Sequence, residues 1–207
     1  MASEVQIINE ALGELGEPEI VSRSDNTPQA NAADRFFDNA KKQLLEDGKW
    51  RFAAKYSNLG QIATAPAFKY AYQYQLPSDF IRLIELNEVD VDNVTVPLHE
   101  RVQDALYTDE TSAKIVYVSD VDVSQFSPGA ARALSFMLAS KMARLLTDSA
   151  TQKQEMLDEY RRELKSAKSI DSMHQRQPIE NRAAYSKFVI AQNGGGFPNP
   201  TVEPTAY

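Results

Sequence analysis

The sequence predicts a mainly helical α+β protein. It reads as a four-helix bundle with a small antiparallel β subdomain inserted between helices 2 and 3, plus an extended C-terminal arm. Three observations carry that prediction. Apolar residues recur at steps of three and four on both sides of the chain's middle, the period falls to two between residues 68 and 76, and Gly and Pro punctuate the end of the chain. The expected organisation is 1–49 and 127–172 for the helical bundle, 50–126 for the inserted β subdomain and 173–207 for the arm.

The first helix opens at Ser3, an N-cap residue with Gln6 three positions on, and carries the stripe Val5, Ile8, Leu12 and Leu15. Gly16 supplies a left-handed stop and Pro18 prevents resumption. Gly13 interrupts the helix at a cost of about 1 kcal/mol relative to Ala, so it is expected to permit a close helix contact. The second helix starts at Thr27 with Pro28 at its first position, where the missing N–H is harmless. Ala33, Phe36, Phe37, Ala40, Leu44 and Leu45 form its apolar face, Gly48 ends it, and Trp50 and Phe52 cover the end of the helical core.

Phe68, Tyr70, Tyr72, Tyr74 and Leu76 then alternate with Lys69, Ala71, Gln73 and Gln75, which predicts a half-buried strand with one aromatic face. The run from Phe80 to Leu86 follows a Pro77-Ser78-Asp79 turn and is a strand or a short helix; periodicity leaves both open. Val89 and Val91 face Val94 and Val96 across Asp92 and Asn93, the pattern of a tight hairpin. Leu106 to Thr108 reads as a short strand and Lys114 to Val118 as the most strongly written one. Together these make one small, mostly antiparallel sheet.

Ser127 and Pro128 begin a third helix rich in small residues, with Leu134, Leu138, Met142 and Leu145 on one face, which suits a central position. Ser149 with Gln152 caps a fourth, whose stripe is Leu157, Tyr160, Leu164 and Ala167 and whose other faces are charged.

Composition narrows the chemistry. With no cysteine, disulfides, thiolate catalysis and Cys-ligated metals are excluded, and the two histidines, His99 and His174, lack partners at metal-ligand spacing. The three glycines at 194–196 lack the Lys-Ser or Lys-Thr of a phosphate loop, and no nucleophile elbow occurs. Asp90, Asp92 and Asn93 share a few residue types with a calcium loop but lack its terminal Glu. The expectation is a protein that is not an enzyme and uses no cofactor or metal. A net charge of −7 argues against gripping nucleic acid through a basic patch. No apolar run approaches membrane-spanning length, and no basic-then-apolar signal opens the chain, so synthesis in a cytoplasm and no membrane partner are expected.

The arm has too little apolar area to offset its own ordering. Fully extended it would reach roughly 115 Å. Phe188, Val189, Ile190, Phe197 and Tyr207 are its candidate partner-binding residues, set to occupy apolar pockets on a partner protein or a neighbouring subunit.

The order of local motifs resembles that of a known family. Asn9-Glu10-Ala11-Leu12 and Leu15-Gly16-Glu17-Pro18 precede Phe37-Asp38-Asn39-Ala40 and Trp50-Arg51-Phe52-Ala53. Tyr74-Gln75-Leu76-Pro77-Ser78-Asp79-Phe80-Ile81-Arg82-Leu83 and Lys114-Ile115-Val116-Tyr117 follow. The last block runs from Phe126-Ser127-Pro128 through Leu145-Leu146-Thr147-Asp148-Ser149 to Tyr160 and Leu164. Over about residues 5–172 this resembles the head-to-tail adaptor, or tail tubular protein A, of short-tailed double-stranded-DNA phages; the arm departs from the shared pattern. The resemblance implies a structural virion protein in the tail connector. It would form a homo-oligomeric ring, typically dodecameric, join the portal protein to the tail nozzle protein, and let DNA pass during ejection without specific binding. Ring contacts are then expected through the helices, and contacts with the tail through loops near 54–66 and 87–112. The alternative is a soluble non-enzymatic interaction module whose C-terminal arm binds a partner protein.

Overall fold

In the computed structural model, which describes residues 3–173, each long helix begins where its capping residue stands. Helix α1 spans Glu4–Leu15, with the reciprocal Ser3–Gln6 capping box formed and Gly16 at φ +73° closing it. Ile7 and Ala11 join Ile8, Leu12 and Leu15 on the buried face, and Val5 is only half-buried. Asn9 fixes the exit from this helix. Its side-chain amide donates to the Ile20 carbonyl and its oxygen accepts from the Ile20 N–H, both at 3.0 Å.

Gly13 corrects an expectation. A methyl group added there would meet no neighbouring atom within 4 Å, so the glycine serves no close helix contact.

Helix α2 spans Pro28–Asp47, capped by Thr27 through the Ala30 N–H. Its end is built differently from that of α1. Gly48 has φ −136°, ordinary extended backbone, so it provides no left-handed cap. Two of the last four carbonyls, which a helix leaves without internal partners, are instead satisfied by side chains. The Trp50 indole donates to the Leu44 carbonyl at 2.8 Å, and Arg82 donates to that of Glu46 at 3.0 Å. Glycine is needed at 48 for space, because a Cβ there would stand 2.4 Å from the buried indole ring.

The expected single sheet is two. The first has the order β1-β7-β3-β4, comprising β1 (Ala54–Asn58), β7 (Lys114–Ser119), β3 (Phe80–Leu86) and β4 (Val89–Asp90), all antiparallel. The second has the order β2-β6-β5, from β2 (Tyr72–Gln75), β6 (Ala105–Thr108) and β5 (His99–Val102). Strand β1 lies where a loop was expected; it is an edge strand with an exposed Tyr56 and no apolar alternation to betray it. The aromatic alternation of 68–76 becomes strand only from Tyr72. A three-residue turn at Lys69, φ +76°, joins the Tyr70 N–H to the Phe68 carbonyl and leaves Phe68 exposed.

The β3 segment is a strand with two bulges, the pairing with β7 skipping Ile81 and Ile84. The hairpin expected about Asp92 and Asn93 is displaced to Asn87 and Glu88. Both have positive φ, +50° and +69°, as the favoured two-residue turn requires, and Glu85 pairs with Asp90 across it.

Helix α3 (Pro128–Leu146) packs against both α1 and α2 and is buried almost throughout, matching its small-residue composition. Leu145, expected on the buried face, is exposed; burial on this helix ends at Ala143, with Leu146 only partly packed. Helix α4 (Ala150–Met173) starts at Ser149, whose hydroxyl accepts the Gln152 N–H, and buries Met156, Tyr160 and Ala167. It approaches closely at Gly129 of α3, where an added Cβ would lie 3.1 Å from that of Ala167.

Two apolar clusters result. The larger joins all four helices with Ile84, Val116, Val118 and Val121. The smaller holds Tyr74, Leu76, Leu86, Leu106, Ala113, Ile115 and Tyr117 between the sheets. Strand β7 serves both, sending Val116 and Val118 to one and Ile115 and Tyr117 to the other.

Candidate interaction surfaces

The five residues expected to bind a partner, Phe188, Val189, Ile190, Phe197 and Tyr207, lie outside the described residues. Within 3–173 two surface grooves have the composition of contact sites. The larger, about 910 Å³, runs between α1 and the first half of α3. Gln6, Glu10, Gly13 and Glu14 recur at helical spacing along its α1 wall, the face opposite the buried stripe. Phe126, Ala131, Ser135 and Phe136 form its buried lining. Arg132 stands on its rim, 6.0 Å from the Phe136 ring and 3.8 Å from Glu163 of α4.

The second groove, about 350 Å³, lies on the three-stranded sheet between Phe68, Tyr70, Val102 and Tyr107, with the Lys69–Glu100 ion pair across it. Phe68 and Leu98 leave most of their surface exposed in this part of the molecule. The sequence offered a signal for the second groove in its aromatic alternation. The first is made by packing of helices far apart in the chain, and its α1 wall reads locally as an ordinary solvent face.

The titratable groups are chiefly structural. Asp90 and Asp92, the residues shared with a calcium loop, clamp the Lys49 ammonium at 2.5 and 2.6 Å. Burial alone would lower that lysine and raise Asp90, but the hydrogen bonds between them prevail in both cases, raising Lys49 and lowering Asp90. His99 is half-buried with Nδ1 2.8 Å from the Pro97 carbonyl. Among the described residues no group of three or more His, Asp or Glu side chains is placed to hold a metal ion. No helix among them is long and apolar enough to cross a membrane.

Asp79, just before β3, is held against two strands of the four-stranded sheet, β1 and β7. It accepts from Lys55 at 2.5 Å and from the Tyr117 hydroxyl at 3.0 Å. Burial opposes its ionisation, yet these donors outweigh burial and hold the carboxyl below its ordinary value. Burial, then the same hydrogen bond, pushes Tyr117 up to about 12. Asp79 and Asp90 are both depressed on folding, so their contribution is complete above the unfolded carboxylate value of about 4 and is lost as pH falls through the folded values. Thermal midpoints should therefore decline below about pH 4. Asp79→Asn should make that decline shallower; parallel profiles for the two proteins would remove Asp79 as a contributor.

Compared with known proteins, the chain matches no family model and no curated protein.

Proposed function

We propose that the chain is a ring-forming head-to-tail adaptor of a short-tailed double-stranded-DNA phage. Its four helices act as a bundle that carries the ring contacts, the sheets face the tail nozzle, and the arm engages the portal. DNA passes through the ring without being bound specifically. The observation that carries this reading is the order and spacing of the motif blocks between residues 5 and 172.

Two of those blocks meet directly in the fold, and two others anchor residues just outside them. Asn9 of the first block holds Ile20, just beyond Leu15-Gly16-Glu17-Pro18. Trp50 of the fourth caps α2 through Leu44. Asp79 and Phe80 meet Tyr117 by a hydrogen bond and by ring stacking at 5.6 Å.

The test is the mass of the full chain alone and after mixing with its cognate portal, beside a chain lacking 174–207. A monomer that becomes a multi-copy complex only with portal, and a shortened chain that stays folded but does not attach, are expected. Absence of association under all conditions would replace the adaptor with the independent binding module.

A further inference from the structure

The α1–α3 groove and one flank of α4 are complementary in charge and face opposite ways. Glu10 and Glu14 are exposed on the groove's α1 wall, and neither makes an ion pair with another described residue. Helix α4 presents Arg161, Lys165 and Lys168 at steps of four and three, which places them on one flank. Arg161 is paired with Asp158 at 2.9 Å, whereas Lys165 and Lys168 have no ion pair among the described residues. The outer half of the flank is therefore positive.

The relative direction of the two surfaces follows from helix geometry. Glu163 points from α4 toward Arg132, on the rim of the groove. At about 100° per residue, Arg161, Lys165 and Lys168 lie about 140–160° around α4 from Glu163. One subunit thus shows an acidic groove on one side and a basic ridge on the other. Such a pair cannot be satisfied by a contact of like patches across a two-fold axis. It suits a head-to-tail contact, which repeats from copy to copy and closes into a ring when the rotation allows.

We infer that a second copy of this chain occupies the groove, setting Lys165 and Lys168 of its α4 against Glu10 and Glu14. Phe126, Ala131 and Phe136 give the neighbour's helix an apolar floor, and the charges at the rim fix register and choice of partner. This inference rests on the ring reading above and specifies its subunit interface.

Two double variants of the full chain test it: Glu10→Lys with Glu14→Lys, and Lys165→Glu with Lys168→Glu. All four positions are exposed or half-exposed, so thermal midpoints close to that of the parent are expected to show intact folding. Assembly is read as the mass of the multi-copy complex formed with cognate portal across a concentration series. Each double variant alone should need roughly tenfold or more protein to assemble, because like charges then meet across every contact. An equimolar mixture of the two should recover assembly near the parent's concentration, since alternating copies restore opposite charges at every junction. Parent assembly should also weaken as salt screens the contact. Double variants that assemble as readily as the parent would overturn this interface and leave the ring reading standing. A parent that never forms a multi-copy complex would remove the ring reading, and the interface with it.

Discussion

Replacing Trp50 by alanine is expected to lower the unfolding free energy by about 3–5 kcal/mol. The side chain is 1% exposed, its ring lies 5.4 Å from that of Phe52, and its N–H satisfies a terminal carbonyl of α2. Alanine would leave a cavity at the junction of helix and sheet and a carbonyl without its donor. Trp50→Phe separates the two contributions. It keeps most of the apolar area, so its loss should be about 1–3 kcal/mol, the cost of one unsatisfied buried group plus imperfect filling. Urea denaturation of both variants measures the difference. Equal losses would mean that the lost hydrogen bond accounts for the whole effect and that the packing of the ring contributes nothing, whereas an unchanged Trp50→Phe would mean that packing alone matters.

Phe37→Ala is expected to cost a similar amount, about 3–5 kcal/mol, for a different reason. Phe37 is fully buried in α2, and the Arg23 guanidinium lies 4.8 Å above its ring. That guanidinium also reaches Glu4 and Asp34 at 2.8 Å and Asp38 at 3.6 Å, tying the start of α1 and the α1–α2 connection to α2. Removing the ring empties part of the core and takes away the surface on which this cluster rests. Arg23→Ala alone should cost less, about 1–2 kcal/mol, since its carboxylate partners are largely exposed and solvated. Denaturant titration of each variant and of the double variant gives the coupling. Strictly additive losses would show that ring and guanidinium act independently.

Local signals in the sequence read correctly, and signals that depend on distant partners did not. Ser3, Thr27, Ser127 and Ser149 mark helix starts because a capping hydroxyl needs only the next three residues. The alternating strand β7 was legible because it is central and its side chains meet apolar neighbours on both faces. Strand β3 was ambiguous for a physical reason. Its two bulges bring Phe80, Ile81, Leu83, Ile84 and Leu86 into clusters at spacings that imitate a helix. The displaced hairpin has a similar origin. Asp90 and Asp92 are held by Lys49, just beyond the end of α2, and nothing in their own vicinity announces that lysine. The groove between α1 and α3 was hidden for the same reason: Glu10 and Glu14 acquire meaning only when α3 lies beside them.

The division of labour along β7 has a consequence for how the molecule opens. Tyr74, Leu76 and Leu106 of the three-stranded sheet belong to the smaller cluster alone, which meets the rest of the body through one face of the four-stranded sheet. The helices keep the other face, through Val116 and Val118. Peeling away β2, β6 and β5 would expose Ile115 and Tyr117 yet leave the helical cluster closed. Their amide protons should exchange with solvent through an excursion smaller than complete unfolding. Opening of the three-stranded sheet is thus insulated from the helical cluster, the part that under the proposed ring carries load between copies.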